Sequence, residues 1–458
     1  MTLWSDQKVT IFGLGRSGLA AARYLRGKGA EIFVSDSAPE EKVAESTRKE
    51  LSDLGARCEF GSHSQEAIDF ADLFVVSPGI APHTDAIQRA RKTGNDVISD
   101  IELAWRETDT PIIAITGTNG KSTTTALTSH LLEAAGKRAP VCGNIGVPIL
   151  SLLDQKIDFL VAEISSFQLE YCPTFAPEIS VWLNLTPDHV DWHKGLENYI
   201  NAKRRLFKNQ HFNQYAVLNM DDDIVATTPT TAEIFPFSQD SELDGYVQGA
   251  YLSDGFICCR RRMSDDVILP AAELPIKGKH NLENALAAVA CARLAGADIN
   301  AIKSGLKSFK GLEHRLEYVD TIDGVAFYND SKATNTVSAI KALESFPNEQ
   351  VVLIAGGKDK GTSLTEFVHV VRKRASAVIL IGEATARFES ELRDGGVQNI
   401  YPVATLEAAI KLGCQLKQGP VLLSPACASF DMFKDYEDRG RVFKDIVRAK
   451  LKEVAPQA

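Results

Sequence analysis

Short apolar runs alternate with amphipathic stretches along almost the whole chain, and this alternation predicts the fold. KVTIFG (8–13) is an apolar run ended by glycine and reads as a strand; GLAAARYLRGKG (18–29) has helical spacing and a glycine stop. EIFVSD (31–36) and ADLFVVSPG (71–79) continue the strand series. A second series runs through PIIAITGTNGKS (111–122), DFLVAEISS (158–166), EISVWLNLTPDH (178–189) and YAVLNMDDD (215–223), each apolar run ending in polar residues. Residues 232–274 lose the helical period and read as a small antiparallel flap, after which HNLENALAAVACARLAG (280–296) is a strongly apolar helix. A third series, VAFYNDS, QVVLIAGG, AVILIGE and PVLLSPA, follows GLEHRLE (311–317).

Strands alternating with helices imply parallel, doubly wound sheets. The pattern predicts an α/β protein of three domains: a Rossmann-like domain over 1–98, a central domain over 99–311 whose GTNGKS loop is of the P-loop ATPase type, and a Rossmann-like domain over 312–458. The 458 residues suit that number at ~150 residues per domain. Ligands of such sheets lie beyond the carboxyl ends of the strands, where the polar clusters of this chain fall.

Composition narrows the function classes. A net charge of −10 argues against a surface built for nucleic acid or anionic membrane. No apolar run approaches the ~18 residues of a membrane span, and the amino terminus lacks the form of a secretory signal. The eight cysteines are scattered without C-x-x-C spacing, as in a reduced cytoplasmic protein. Cys427 has no histidine near it in sequence and reads as a small buried thiol rather than a nucleophile.

Two glycine loops carry the first chemistry. GLGRSG (13–18) follows the first strand, and Asp36 closes the second. This is the dinucleotide fingerprint, in which glycines admit a diphosphate to a helix amino end and the acid meets a ribose. A plain tight turn would give the same letters, and nothing in them chooses NAD over a sugar nucleotide. GTNGKST (117–123) is more specific, although its glycines are two residues apart rather than four. Backbone N–H groups from Gly117, Thr118, Asn119 and Gly120 can surround phosphate oxygens, Lys121 can reach the β and γ phosphates, and Ser122 can meet Mg²⁺. Glu163, at a strand end, is the acid expected beside such a loop. His189, Asp191 and His193 alternate in TPDHVDWH, a spacing open to a zinc site or to a loop network. Lys203 lies on a basic helix face, and Asn281 and Asn284 open the apolar helix. Asp330 and Lys332 stand in the strand-end loop NDSKATN.

Taken together, GTNGKST, EISSFQLE, LNLTPDHVDWH, the HNLEN helix start, EHRLE and NDSKATN resemble the Mur ligase family, and the resemblance covers essentially the whole chain. GLGRSG, SPGI, GNIG and LLSPACASFDMFKDYEDRG resemble its D-glutamate-adding branch. The resemblance implies an ATP-dependent amide ligase of cytoplasmic peptidoglycan precursor synthesis in bacteria. Its substrates would be UDP-N-acetylmuramoyl-L-alanine and D-glutamate, joined through an acyl phosphate, and the chain would act as a monomer. It further implies that Leu14, Arg16, Ser17, Asp36, Ser77 and Gly79 line the uridine diphosphate pocket, with Asn144 and Gln168 on the sugar–peptide part. Lys121, Ser122 and Thr123 would hold ATP, Asn281 and Asn284 would face adenine, and Arg315, Asp330 and Lys332 would complete the nucleotide site. Ser122, Glu163 and His189 would meet two Mg²⁺ ions together with Lys203, carbamoylated by CO₂. Thr334, Lys360, Ser429 and Tyr436, the last in place of phenylalanine, would meet D-glutamate. The implied catalytic set is Lys121, Glu163, His189, Lys203 and Lys332. A rival reading, an NAD-dependent oxidoreductase, rests on GLGRSG and Asp36 and leaves the phosphate loop and NDSKATN unexplained. A nucleotide-gated binding module would bind ATP without forming a bond.

Overall fold

The computed structural model describes residues 4–276, 278–346, 350–359 and 361–454. Three sheets form in chain order. The first is wholly parallel, in the order Arg57–Phe60, Glu31–Asp36, Lys8–Phe12, Leu73–Val76, Asp96–Ser99. The order reverses between Glu31–Asp36 and Leu73–Val76, with Lys8–Phe12 between them, and the loop after that central strand opens at this switch point. The first sheet runs through Ser99, so its last strand straddles the expected boundary at 98.

The second sheet has nine strands, with Ile112–Thr116 between Ile179–Trp182 and Leu160–Glu163. Every residue of Ile112–Thr116 is buried, as a strand covered on both faces requires. The expected flap is the end of this sheet. Glu233–Ser238 still pairs in parallel, and Gly249–Ser253, Phe256–Arg261 and Ser264–Pro270 close it as an antiparallel meander. The third sheet has six strands and is parallel except for the hairpin Glu317–Ile322 with Val325–Asn329.

The chain gathers into two compact units, one through Leu274 with His280–Ser308, the other Pro275–Lys279 with Phe309 onward, the first of which holds the first two sheets. The reason is a shared core. Val9, Ile11 and Leu25 under the first sheet belong to one apolar cluster with Ile101, Leu103, Ile149, Leu150, Ala114 and Leu160 under the second. Helix Asp100–Glu107 follows the last strand of the first sheet directly and carries this cluster across.

Among the described residues no helix is long and apolar enough to cross a membrane. None of the eight cysteines is in a disulfide, and the Cys427 thiol is pushed up to about 12 by burial, which leaves it unreactive.

Candidate active site

The cleft of the first unit is built on backbone geometry. Gly18 starts its helix so close to the first strand that a Cβ there would lie 2.0 Å from Gly13 O. The Ser77 hydroxyl donates to Gly13 O at 2.8 Å, tying the next strand end to the loop. Asp36 accepts from the Leu14 N–H and, at 2.7 Å, from the Ala38 N–H, so it shapes the loop from the neighbouring strand. The result is a cleft of about 470 Å³ that includes Leu14, Arg16, Ser17, Asp36, Ser77, Gly79, Asn144 and Gln168 in its lining. All eight residues assigned to the UDP substrate from sequence are therefore in one place.

The phosphate loop lies between Ile112–Thr116 and helix Lys121–Ala134. Gly120 is left-handed at φ +82, and a Cβ there would stand 2.2 Å from Asn284 Oδ1. Asn284 accepts from the Thr124 hydroxyl at 3.1 Å and donates to Asn281 Oδ1 at 3.2 Å, so Asn284 packs on the loop and Asn281 backs it. Lys121 Nζ curls back to donate to Gly117 O at 3.0 Å and Thr118 O at 2.9 Å. Thr118 and Asn119 are held by Asn184 from the adjoining strand end.

Lys203 is 1% exposed; its Nζ donates to the same Gly117 O at 2.8 Å and lies over the Tyr199 ring, 4.8 Å from its centroid. Burial, and then the Lys121 ammonium, hold Lys203 well below the ordinary lysine value; Asp188 and Glu163 oppose this. Glu163 is 2% exposed and accepts from Asn144 Nδ2 at 2.7 Å through Oε1. Its Oε2 is buried without a hydrogen-bond partner. A buried anionic oxygen with no donor suits a divalent cation, so the residues present fit Mg²⁺.

The two histidines of TPDHVDWH diverge in role. His189 is half exposed, sits at a left-handed φ of +52, and packs on Phe167 with ring centroids 4.7 Å apart. His193 is buried against the Ser166 hydroxyl at 2.9 Å, and burial lowers it to about 4, so it is a neutral packing group. Among the described residues no three histidine, cysteine or acidic side chains gather as a metal cluster.

In the second unit, Asp330 is 7% exposed and accepts from Leu316 N–H at 3.2 Å and from the Ser424 hydroxyl at 2.7 Å. Burial raises it to about 7. Lys332 stands over the Tyr436 ring, 5.8 Å from its centroid, and its N–H donates to His314 O, next to Arg315. The Thr334 N–H closes the turn on Lys332 O at 2.8 Å, and Ser429 is 2% exposed at the start of its own turn. Lys360 lies outside the described residues.

Sequence reading missed three groups. Tyr199 lies one turn before Lys203, and its hydroxyl meets the Thr118 hydroxyl at 3.0 Å; i, i+4 spacing on one helix was the available signal. Asp188 acts on Lys203 through space. Arg439, 1% exposed, binds Ser331 Oγ and O at 2.9 Å and Cys427 O at 3.2 Å, so it joins the NDSKATN and SPACAS loops. Nothing local in the sequence distinguishes that arginine.

Comparison with known proteins gives the site its family. The Mur ligase MurD-like N-terminal domain matches residues 7–99, the Mur ligase middle domain 115–292, and the Mur ligase glutamate ligase domain 314–427. The UDP-N-acetylmuramoylalanine–D-glutamate ligase of Geotalea daltonii is 44% identical over 451 residues, 97% of each chain. The chain belongs to the Mur ligase family. The ligase of the same name from Acidobacterium capsulatum is 44% identical over 454 residues, 97% of this chain and 96% of that one. The solved UDP-N-acetylmuramate–alanine ligase of Thermotoga maritima shares the fold at a TM-score of 0.58 and 19% identity, covering 97% of this chain and all of the other. A pseudomurein peptide ligase type C from Methanothermus fervidus does so at 0.55 and 17%, with the same coverage. This Mur ligase thus keeps the fold of distant members while its sequence lies with the D-glutamate ligases.

Proposed function

We propose that this Mur ligase joins D-glutamate to UDP-N-acetylmuramoyl-L-alanine at the expense of ATP, as its 41–44% identical relatives are named for doing. One observation supports it most: Asn144, in the lining of the diphosphate cleft, donates to Glu163, the acid beside the phosphate loop. A single hydrogen bond therefore links the place for a nucleotide-sugar substrate to the place for a triphosphate, as a reaction between the two needs. An oxidoreductase would have no use for the second place.

A carboxylate is a poor electrophile because it would have to expel oxide. Transfer of the γ-phosphoryl group of ATP to the L-alanine carboxylate replaces that with phosphate as leaving group, and the D-glutamate amine then forms the amide. The residues' work is placement and charge neutralisation. Lys121, released from the Gly117 and Thr118 carbonyls, is the cation for the transferring phosphoryl group, and Lys332 is assigned the same task. Leu14, Arg16, Ser17, Asp36, Ser77 and Gly79 take the uridine diphosphate; Gln168 and Asn144 take the sugar–peptide part. Thr334, Lys360, Ser429 and Tyr436 are assigned to D-glutamate, and Arg315 and Asp330 to ATP. Mg²⁺ would be held by Ser122, Glu163, His189 and Lys203 as its carbamate, and when bound supplies positive charge to the phosphates.

Lys203 is suited to that carbamate. A buried amine held below its ordinary value gives up its proton more readily and exposes the lone pair that attacks CO₂. The N–C bond forms as one C=O π pair moves to oxygen and the nitrogen loses a further proton, leaving an anionic oxygen pair. Boundaries near 98 and 311, a cytoplasmic location and a monomeric state complete the proposal.

Phosphate release with ATP, Mg²⁺ and UDP-N-acetylmuramoyl-L-alanine tests it. Release should depend on D-glutamate and not on L-glutamate or D-alanine; no stimulation by D-glutamate refutes the reading. Lys203→Ala should lose nearly all activity and regain part with a short carboxylic acid, whereas an unimpaired variant removes the carbamate.

A further inference from the structure

Asp100 has no part in the mechanism above, yet it is 2% exposed at the foot of the cleft, the first residue of helix Asp100–Glu107. Its Oδ1 accepts from Gln168 Nε2 at 3.3 Å. Gln168 lines the cleft. Gln168 is fixed at its other end too: its Oε1 accepts from the Ser165 N–H and hydroxyl, both at 3.1 Å. With Ser165 donating at one end and Asp100 accepting at the other, the carboxamide cannot flip without placing donor against donor. One N–H of Gln168 Nε2 remains to donate to a ligand.

The Oδ2 of Asp100 is buried with no hydrogen-bond partner. Burial drives its titration upward.

We propose that Asp100 is a positioning residue of the substrate cleft, which fixes the Gln168 carboxamide for the UDP-sugar ligand. This rests on the cleft being the UDP-substrate site, and the test separates the two. Uridine 5′-diphosphate and UDP-N-acetylmuramoyl-L-alanine are titrated into the full chain and its variants by calorimetry, with steady-state kinetics alongside. If wild type binds neither, the reading of the cleft fails, whatever Asp100 does. If wild type binds, Asp100→Asn, uncharged and still an acceptor, should hold the UDP-substrate KM within about threefold of wild type, and Asp100→Leu should raise it about tenfold, the scale of one or two lost hydrogen bonds. The KM for ATP should stay unchanged in both, a split that general damage to the fold would not give.

Melting temperature reports whether Asp100→Leu folds; if it does not, Asp100→Ala takes its place. Loss of substrate affinity in Asp100→Asn overturns the proposal, because asparagine keeps an oxygen that can accept from Gln168. So does an unmoved UDP-substrate KM in a folded Asp100→Leu or Asp100→Ala, or an equal rise in both KM values.

Discussion

Single residues of this ligase carry constraints that can be tested one at a time. Gly120 is both left-handed and closed off by Asn284. Gly120→Ala should therefore lose ATP affinity and destabilise the first unit by about 1–3 kcal/mol, read by nucleotide titration and denaturant unfolding. An alanine variant with normal affinity would mean that the loop is free to move. Asp330 gives a pH signature. Its unfolded carboxyl titrates near ~3.9, and the folded one at about 7, so folding favours the protonated form. Its contribution to stability is whole below about pH 4 and declines as pH rises to about 7, levelling off above. Asp330→Asn should flatten that decline in unfolding free energy across the same window; an unaltered slope would place the raised titration elsewhere.

Elements were legible where periodicity was strong. The buried central strands, Lys8–Phe12, Ile112–Thr116 and Val351–Gly356, are continuous apolar runs because helices cover both faces. The strands that escaped sequence reading are short or polar: Arg57–Phe60, Asp96–Ser99, Val141–Gly143, Glu317–Ile322 and Ile400–Pro402, each at the edge of its sheet. An edge strand buries less, so its composition carries less signal. The last helix, Tyr436–Val454, does more than end the chain, since Arg439 on it joins two loops that carry assigned site residues. Removing that guanidinium leaves several buried carbonyls without donors. Arg439→Met should cost the second unit about 3 kcal/mol or more in denaturant unfolding and lower the affinity for D-glutamate, whereas a loss under about 1 kcal/mol would show that the loops hold themselves.

At the scale of the molecule, the first two sheets share a core and the third has its own. Uridine 5′-diphosphate alone should therefore stabilise the unit that includes Ser17 and Lys121 and leave the melting of the other in place. A ligand at a hundred times its Kd adds about 2.7 kcal/mol to the state it binds. Scanning calorimetry checks this; an equal rise in every transition would count against two units that melt separately.

The sequence by itself determined the fold class, the strand-end loops and the chemistry each could do, because glycine spacing, period and strand-end acids are local properties of the chain. Only the tertiary structure decided which side chains meet. That Asn144 reaches Glu163 and that Asp100 lies under Gln168 depend on strands brought together across tens of residues. The lowered titration of Lys203 likewise depends on burial and then on Lys121, neither of which local sequence encodes.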